Sequence, residues 1–198
     1  MPILSRTVDL YPYDLFDRED LSTTGESRWW ALYTLSRREK DLMKRLQALK
    51  IPFYGPTIEK RYRSPAGRFR TSYIPLFANY VFLYGDDLQR YDAQSTNCVS
   101  RYVPIVQGEQ LTRDLRQIYE LIQAGVPLTP EARLQPGRLV RVRTGTFRGH
   151  EGIIIRREGK TRLLMAVNFL QQGASLQLED CEVEYLDWTP PGHLRDAS

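Results

Sequence analysis

The stretch PLFANYVFLYG, residues 75–85, carries apolar side chains on both faces of a strand. Successive side chains of a strand point to opposite faces, so Val81 and Leu83 lie on one face. The aromatic residues Tyr80, Phe82 and Tyr84 then lie on the other. Because apolar faces are stable only when another layer buries them, the stretch predicts a strand that is covered on both sides.

Two helical patterns supply cover for this strand. One follows the strand-like run WWALYTL, residues 29–35, and predicts a helix over residues 37–50 with Ser36 as its N-cap. The other, residues 112–125, covers the aromatic face only in part, which leaves a candidate docking groove. The leucines of the first stripe are Leu42, Leu46 and Leu49, and the second stripe consists of Leu115, Ile118, Tyr119 and Ile122.

A basic hairpin is predicted between the first helix and the central strand. Residues 51–63 are extended, residues 64–68 form the turn SPAGR, and an extended run follows. No acid occurs between residues 60 and 73. The tip is either a solvated turn or a contact for nucleic acid or an acidic protein. Its bases, the candidate nucleic-acid-binding residues, are Lys60, Arg61, Arg63, Arg68 and Arg70.

The C-terminal part reads as a second, all-β domain after a proline-rich linker over residues 126–135. Val140 and Val142 alternate with arginines, and four further alternating sets follow before residue 187. Five short strands, each with one apolar face, predict a small barrel over residues 136–187. The β-branched run at 153–155 favours strands over a helical hairpin here. Residues 188–198 are expected to form a loose tail.

Charge is distributed unevenly along the chain. The net charge is +4, but residues 1–27 hold six acids and two bases, which leaves 26 bases and 18 acids elsewhere. We expect these 27 residues to be a partly ordered acidic extension whose apolar residues pack on the domain or on a partner. The excess of bases in residues 28–198 suggests that the protein functions near a polyanion.

Catalytic and cofactor chemistry is not indicated. The two cysteines, Cys98 and Cys181, form no paired motif, and the two histidines, His150 and His193, suit neither a metal cage nor a catalytic triad. A phosphate-binding glycine loop is absent from the sequence. Neither a signal peptide nor a membrane span is apparent. We therefore expect a cytoplasmic, monomeric binding protein with no enzymatic activity and no cofactor.

Three motifs together resemble the NusG family of transcription elongation factors, including specialised paralogs of the RfaH kind. They are WWALYTLSRREK, PLFANYVFLYG, and the hairpin GRLVRVRTGTFRGHEGIII at 137–155 followed by LEDCEVEYL. The resemblance spans about residues 29–187. It implies an α+β fold, in which an NGN-like antiparallel-sheet α/β sandwich at 28–125 is linked to an SH3-like KOW barrel. It also implies docking on the clamp helices of RNA polymerase, suppression of pausing, and recruitment of a ribosomal protein or termination factor by the barrel.

The resemblance assigns site residues one by one. The aromatic positions of the polymerase-binding pocket match Tyr33, Phe77, Tyr80 and Phe82, and helix positions beside it match Leu115, Ile118 and Tyr119. The barrel residues expected to meet its partner are Arg143, Phe147, Arg148 and Phe169. The basic hairpin is expected along upstream duplex DNA or the rim of the polymerase cleft.

Departures from the family pattern and one rival interpretation bear on function. Ala78-Asn79 replaces a common Pro-Gly, a feature of specialised paralogs, and Tyr91-Asp92-Ala93 replaces a polar His-Thr-Thr motif that contacts the opposite pincer. The rival is an RNA-binding or ribosome-associated KOW protein that stacks bases on the sheet. Its recognition motif requires glycine or alanine where Val81 stands.

Overall fold

The computed structural model describes residues 7–18, 21, 26–63, 65, 67–133, 137–178 and 181–186. The chain divides into two compact units, Met1–Gly125 and Val126–Ser198. The predicted tail, residues 188–198, and parts of the predicted acidic extension and linker lie outside the described residues.

The first unit is built on a five-stranded antiparallel sheet. Its strands are β1 (Leu10–Tyr11), β2 (Arg28–Thr34), β3 (Phe53–Tyr54), β6 (Tyr80–Gly85) and β7 (Val99–Pro104), and the basic hairpin adds β4 (Thr57–Arg63) and β5 (Phe69–Pro75). The order in the large sheet is β1-β3-β6-β2-β7, and β4 and β5 form a separate two-stranded sheet. The central strand β6 pairs with both β2 and β3.

Helices α1 (Glu39–Ala48) and α2 (Asp87–Ser95) lie on one face of this sheet, and α3 (Gly108–Gln123) lies on the other. The apolar stripe of α1 packs against the apolar side chains of β2 and β6 that point toward this helix, as the residue spacing predicts. This core includes Trp30, Leu32, Leu42, Met43, Leu46, Val81 and Leu83. The mixed α/β architecture predicted for this half of the chain is confirmed.

Helix boundaries differ from the sequence prediction. The first helix begins at Glu39 without a side-chain cap, so Ser36 is not its N-cap, and Leu49 at its C-terminal end is 49% exposed. The unpredicted α2 starts with a capping box, in which Asp86 Oδ1 accepts from the Gln89 amide at 2.8 Å and Gln89 Oε1 accepts from the Asp86 amide at 3.1 Å. This pairing of Asp with Gln three residues later was the signal for α2 in the sequence.

Part of the acidic extension belongs to the packed fold and is more ordered than the predicted tail. Strand β1 pairs with β3, and a 3-10 turn at Leu15–Asp17 follows it. Both Leu15 and Phe16 in that turn are buried, with 0% and 3% of their surface exposed. We call residues 7–18 the N-terminal strap.

The second unit is an antiparallel sheet of six strands. They are β8 (Thr129–Glu131), β9 (Leu139–Val142), β10 (Glu151–Arg157), β11 (Lys160–Val167), β12 (Gln172–Gln177) and β13 (Val183–Tyr185), in the order β13-β9-β10-β11-β12-β8. A Cβ at Gly152 would lie 2.6 Å from the Leu164 carbonyl oxygen, so the glycine permits close approach of β10 to β11.

The predicted linker supplies one of these strands. Strand β8 pairs with β12, although three prolines and the lack of periodicity at 126–137 indicated irregular chain. Polar contacts hold it: Ser175 Oγ donates to Glu131 Oε1 at 2.7 Å, and Arg162 donates to Thr129 Oγ1 at 2.7 Å. Contacts of this kind, between residues more than 30 positions apart, have no local sequence pattern.

Candidate functional site: the aromatic face and the basic arm

The aromatic face of the first sheet ends in a pair of partly exposed tyrosines. Tyr33 on β2 and Tyr80 on β6 are directly opposite in the strand register. Their ring centroids are 5.1 Å apart at an interplanar angle of 81°, and both residues are half-buried. The Arg101 guanidinium lies 4.7 Å from the centroid of the Tyr33 ring. We call Tyr33, Tyr80 and Arg101 the docking patch.

The turn before β6 fixes the position of Tyr80. Asn79 has φ of 65°, a left-handed conformation that asparagine tolerates better than most residues. Its amide donates to Glu39 Oε1 at 2.8 Å, and its carbonyl oxygen accepts from the Thr34 amide at 2.8 Å. Glu39 is the first residue of α1 and is 7% exposed. One buried carboxylate therefore ties α1 to the turn that presents Tyr80.

Most of the other predicted pocket residues lie beneath the surface. Phe82 is 0% exposed and meets Phe77 edge-on, with ring centroids 6.3 Å apart. Phe77 itself is 2% exposed, and Leu115 and Ile118 on α3 are fully buried. We call these four buried residues the floor of the aromatic face. Of the predicted set, Tyr33 and Tyr80 are half-buried at the open end of the face, and Tyr119 on α3 is half-buried as well.

Tyr119, the remaining member of the predicted pocket, lies beside the N-terminal strap. We call this end of the aromatic face, where the strap packs, the covered end. The Phe16 ring is 5.1 Å from that of Tyr54, 5.5 Å from that of Tyr119 and 6.4 Å from that of Trp29. The Arg116 side chain donates to the Phe16 carbonyl oxygen. The sequence analysis expected the apolar residues of the acidic extension to pack on the domain or on a partner, and Phe16 packs on the first unit.

A polar contact anchors the start of the strap. Thr57 Oγ1 donates to Asp9 Oδ2 at 2.7 Å, and the Gly55 amide donates to the Asp9 carbonyl oxygen at 2.7 Å. Thr57 is buried, with 2% of its surface exposed. The strap is therefore held both by ring contacts and by hydrogen bonds around β3.

The hairpin β4–β5, which we call the basic arm, carries all five predicted bases on exposed positions. Its one acid, Glu59, accepts from Arg61 Nε at 2.8 Å. Two aromatic side chains of the arm are also exposed, Phe69 to 78% and Tyr62 to 45%. The Arg63 guanidinium lies 5.6 Å from the Phe69 ring centroid. The sequence prediction named the bases of this arm and omitted its aromatic residues.

One of the four predicted partner residues of the second unit lies at a groove of about 590 Å³. Phe147 lines that groove together with Leu176 and Cys181. Arg143 and Arg148 are exposed, and Phe169 is 41% exposed in the segment between β11 and β12. Arg157 Nη1 on β10 donates to both carboxylate oxygens of Glu131 on the edge strand β8, at 2.9 and 3.1 Å.

Cys98 and Asp41 lie beside each other in the first unit. Burial raises the pKa of the Cys98 thiol, whose Sγ lies 3.5 Å from Asp41 Oδ2. Hydrogen bonding from Arg38 lowers the pKa of Asp41. Among the described residues, no group of three or more His, Cys, Asp or Glu side chains could hold a metal ion. Within the same residues, none of the helices has both the length and the apolar character needed to cross a membrane.

Comparison with known protein families gives one match. Residues 27–119 match the NusG family model, described as "Transcription termination factor nusG". The matched residues include β2 to β7, the basic arm and most of α3. They also include the docking patch. A comparison with curated proteins finds no match.

Proposed function

We propose, from the premise that residues 27–119 make this chain a NusG-family transcription factor, that it acts in transcription elongation and antitermination by binding RNA polymerase through the docking patch. In this proposal the first unit contacts the clamp helices of the polymerase and suppresses pausing. The family is one of regulatory factors, not of enzymes. The observation that carries the proposal is the open tyrosine pair at the end of an otherwise covered aromatic face.

The chemistry of the docking patch suits a protein contact. Tyrosine and arginine are enriched among the residues that dominate the energy of protein interfaces. Tyr33 and Tyr80 offer apolar rings with polar hydroxyls, and Arg101 adds a cation beside them. The hydrogen bond from the Asn79 amide to Glu39 fixes the turn that presents Tyr80 before binding. Such preorganisation lowers the entropic cost of binding.

The test is the affinity of the full chain for core RNA polymerase after Tyr33→Ala or Tyr80→Ala. Truncation of a central aromatic commonly costs about 2 kcal/mol of binding free energy, so we expect about 30-fold weaker binding and a matching loss of pause suppression in a transcription assay. Tyr13→Ala is the matched control, because Tyr13 is an 86% exposed tyrosine on the strap. The proposal is refuted if the double variant Tyr33→Ala/Tyr80→Ala is folded, binds core polymerase and suppresses pausing as the wild type does.

We assign partner recruitment to the second unit. In this proposal its sheet forms an SH3-like KOW barrel that binds a ribosomal protein or a termination factor through Phe147, Phe169, Arg143 and Arg148. The groove beside Phe147 supports the assignment. Full-length Phe169→Ala should lose capture of such a partner and keep its polymerase affinity. Equal loss of both activities would instead indicate a general folding defect.

The basic arm is proposed to contact nucleic acid within the transcription complex. Its five exposed bases against one acid support this role by charge. Neutralising Arg61, Arg63, Arg68 and Arg70 together should weaken complex formation and reduce its salt dependence, because phosphate contacts release counterions. The loss should be uniform across sequences, since phosphate contacts carry no base information. A loss confined to particular DNA sequences would contradict a phosphate-based contact.

A further inference from the structure

The two exposed aromatic side chains of the basic arm, Phe69 and Tyr62, occupy opposite faces of its ribbon. Arg63 pairs with Phe69 across the two strands, and Tyr62 pairs with Arg70. Neighbouring positions of a strand point to opposite faces, so each face carries an exposed aromatic ring directly beside an arginine. Phe69 is 78% exposed and Tyr62 is 45% exposed. Each ring therefore offers much of its surface to a ligand.

The fold does not account for the exposure of Phe69. Its ring has the Arg63 guanidinium 5.6 Å from the centroid, an interaction that leaves most of the ring in water. Single exposed apolar residues are common on protein surfaces. Here, however, the repetition of the ring and arginine pair on both faces of one hairpin indicates a ligand with flat apolar groups and negative charge.

We propose that the basic arm binds single-stranded nucleic acid, with Phe69 stacked on an unpaired base and the neighbouring arginines on the backbone phosphates. A duplex keeps the faces of its bases inside the stack, so charge alone would suffice to bind it. An unpaired strand exposes base faces, and aromatic side chains in a basic groove bind them with little regard to sequence. The inference rests on the proposed nucleic-acid contact of the arm and is independent of the docking patch.

The test measures fluorescence anisotropy of labelled oligonucleotides with the full chain and no polymerase. The probes are oligothymidine and oligouridine of about 15 nucleotides, a length that spans one stacking site, and a DNA duplex of the same length. We expect Phe69→Ala to bind both single strands about tenfold more weakly and the duplex as the wild type does. The tighter of the two single strands identifies DNA or RNA as the preferred source of unpaired bases.

Three further variants separate stacking from charge. Phe69→Trp should retain single-strand affinity, because tryptophan also stacks. Arg63→Gln should weaken single strands and duplex alike, since it removes a phosphate contact. Tyr13→Ala, which removes an exposed tyrosine outside the arm, should change neither. Equal loss on duplex and single strand for Phe69→Ala, or no loss on either, would overturn the inference.

Polymerase affinity gives the readout that distinguishes this inference from the proposed function. Phe69→Ala should bind core polymerase free of nucleic acid with unchanged affinity, because Phe69 lies outside the docking patch. If Tyr80→Ala leaves polymerase binding intact, the proposed docking fails while the stacking result stands. If Phe69→Ala leaves single-strand binding intact, the stacking inference fails while polymerase docking stands.

Discussion

The two ends of the aromatic face differ in what covers them. At one end, Trp29 and Tyr84 face each other across β2 and β6, and both are buried. Trp29 contacts Phe16 of the strap and donates to Thr112 of α3. At the other end, Tyr33 and Tyr80 form the same cross-strand pair of aromatic residues and stay half-buried. A cross-strand aromatic pair is thus part of the core at one end and part of the surface at the other. The difference comes from residues distant in sequence, which cover only one end.

This contrast separates residues that stabilise the fold from residues free to bind. A fully buried aromatic side chain stabilises the fold through its transfer from water and its close packing. A half-exposed ring leaves apolar surface in water, which a binding partner can still bury. Substitutions at the covered end and the floor should therefore change stability first. Substitutions at the open end should change binding first.

The largest expected effect is at the floor, with Phe82→Ala. Phe82 is fully buried and packs edge-on against Phe77, so truncation leaves a cavity in the core of the first unit. We expect a loss of about 3–5 kcal/mol in the free energy of unfolding, measured by urea denaturation. Tyr80→Ala, on the same strand face, should cost clearly less. Similar losses for the two variants would abolish the distinction between floor and surface.

A smaller loss is expected at the covered end, with Phe16→Ala. The variant removes the ring that contacts Trp29, Tyr54 and Tyr119. We expect a loss near the lower end of the range for a buried phenylalanine, about 3 kcal/mol, because Phe16 lies on a short strap that can detach locally. Hydrogen exchange should show faster exchange of the Gly55 amide, whose acceptor is the Asp9 carbonyl.

The control for the strap is Tyr13→Ala, since Tyr13 is exposed and lies between β1 and the 3-10 turn. It should leave stability and exchange unchanged. If Phe16→Ala behaves like Tyr13→Ala, the strap adds nothing to the first unit. The covered and open ends would then differ only through α3.

The third prediction concerns the support of the open end. Glu39→Ala leaves the Asn79 amide without its carboxylate acceptor, which should cost about 1–3 kcal/mol of stability. It should also weaken polymerase binding, because the turn that presents Tyr80 loses its tie to α1. Glu39→Gln keeps an acceptor oxygen at the same position and should restore much of both. Failure of the glutamine variant to do better than alanine would show that charge, not hydrogen bonding, is required.

The sequence predicted local features of the molecule better than its long-range contacts. The alternation in residues 80–84 correctly assigned Tyr80, Phe82 and Tyr84 to one face, because side-chain direction in a strand follows from period alone. It could not distinguish buried Phe82 from half-buried Tyr80, since that depends on where α3 crosses the sheet. The contact partners of the strap and the strand β8 were not predicted, for the same reason. Phe16 packs against Tyr119, and Glu131 accepts from Arg157, through contacts between distant segments.

The smallest expected effect is at the rim of the open end, with Arg101→Ala. The guanidinium lies 4.7 Å from the Tyr33 ring centroid on the exposed strand β7, and a cation–π contact at such a site contributes about 0.5–1 kcal/mol. Stability should change by no more than this amount. If a partner removes water from the Arg101–Tyr33 pair on binding, the cation–π contact strengthens. Arg101→Ala should then reduce the free energy of polymerase binding by more than it reduces the free energy of unfolding. A double-mutant cycle of Arg101→Ala with Tyr33→Ala, measured for both unfolding and polymerase binding, compares the two coupling energies directly. A larger coupling in binding than in unfolding places Arg101 and Tyr33 inside the interface, whereas equal couplings would place the partner elsewhere on the first unit.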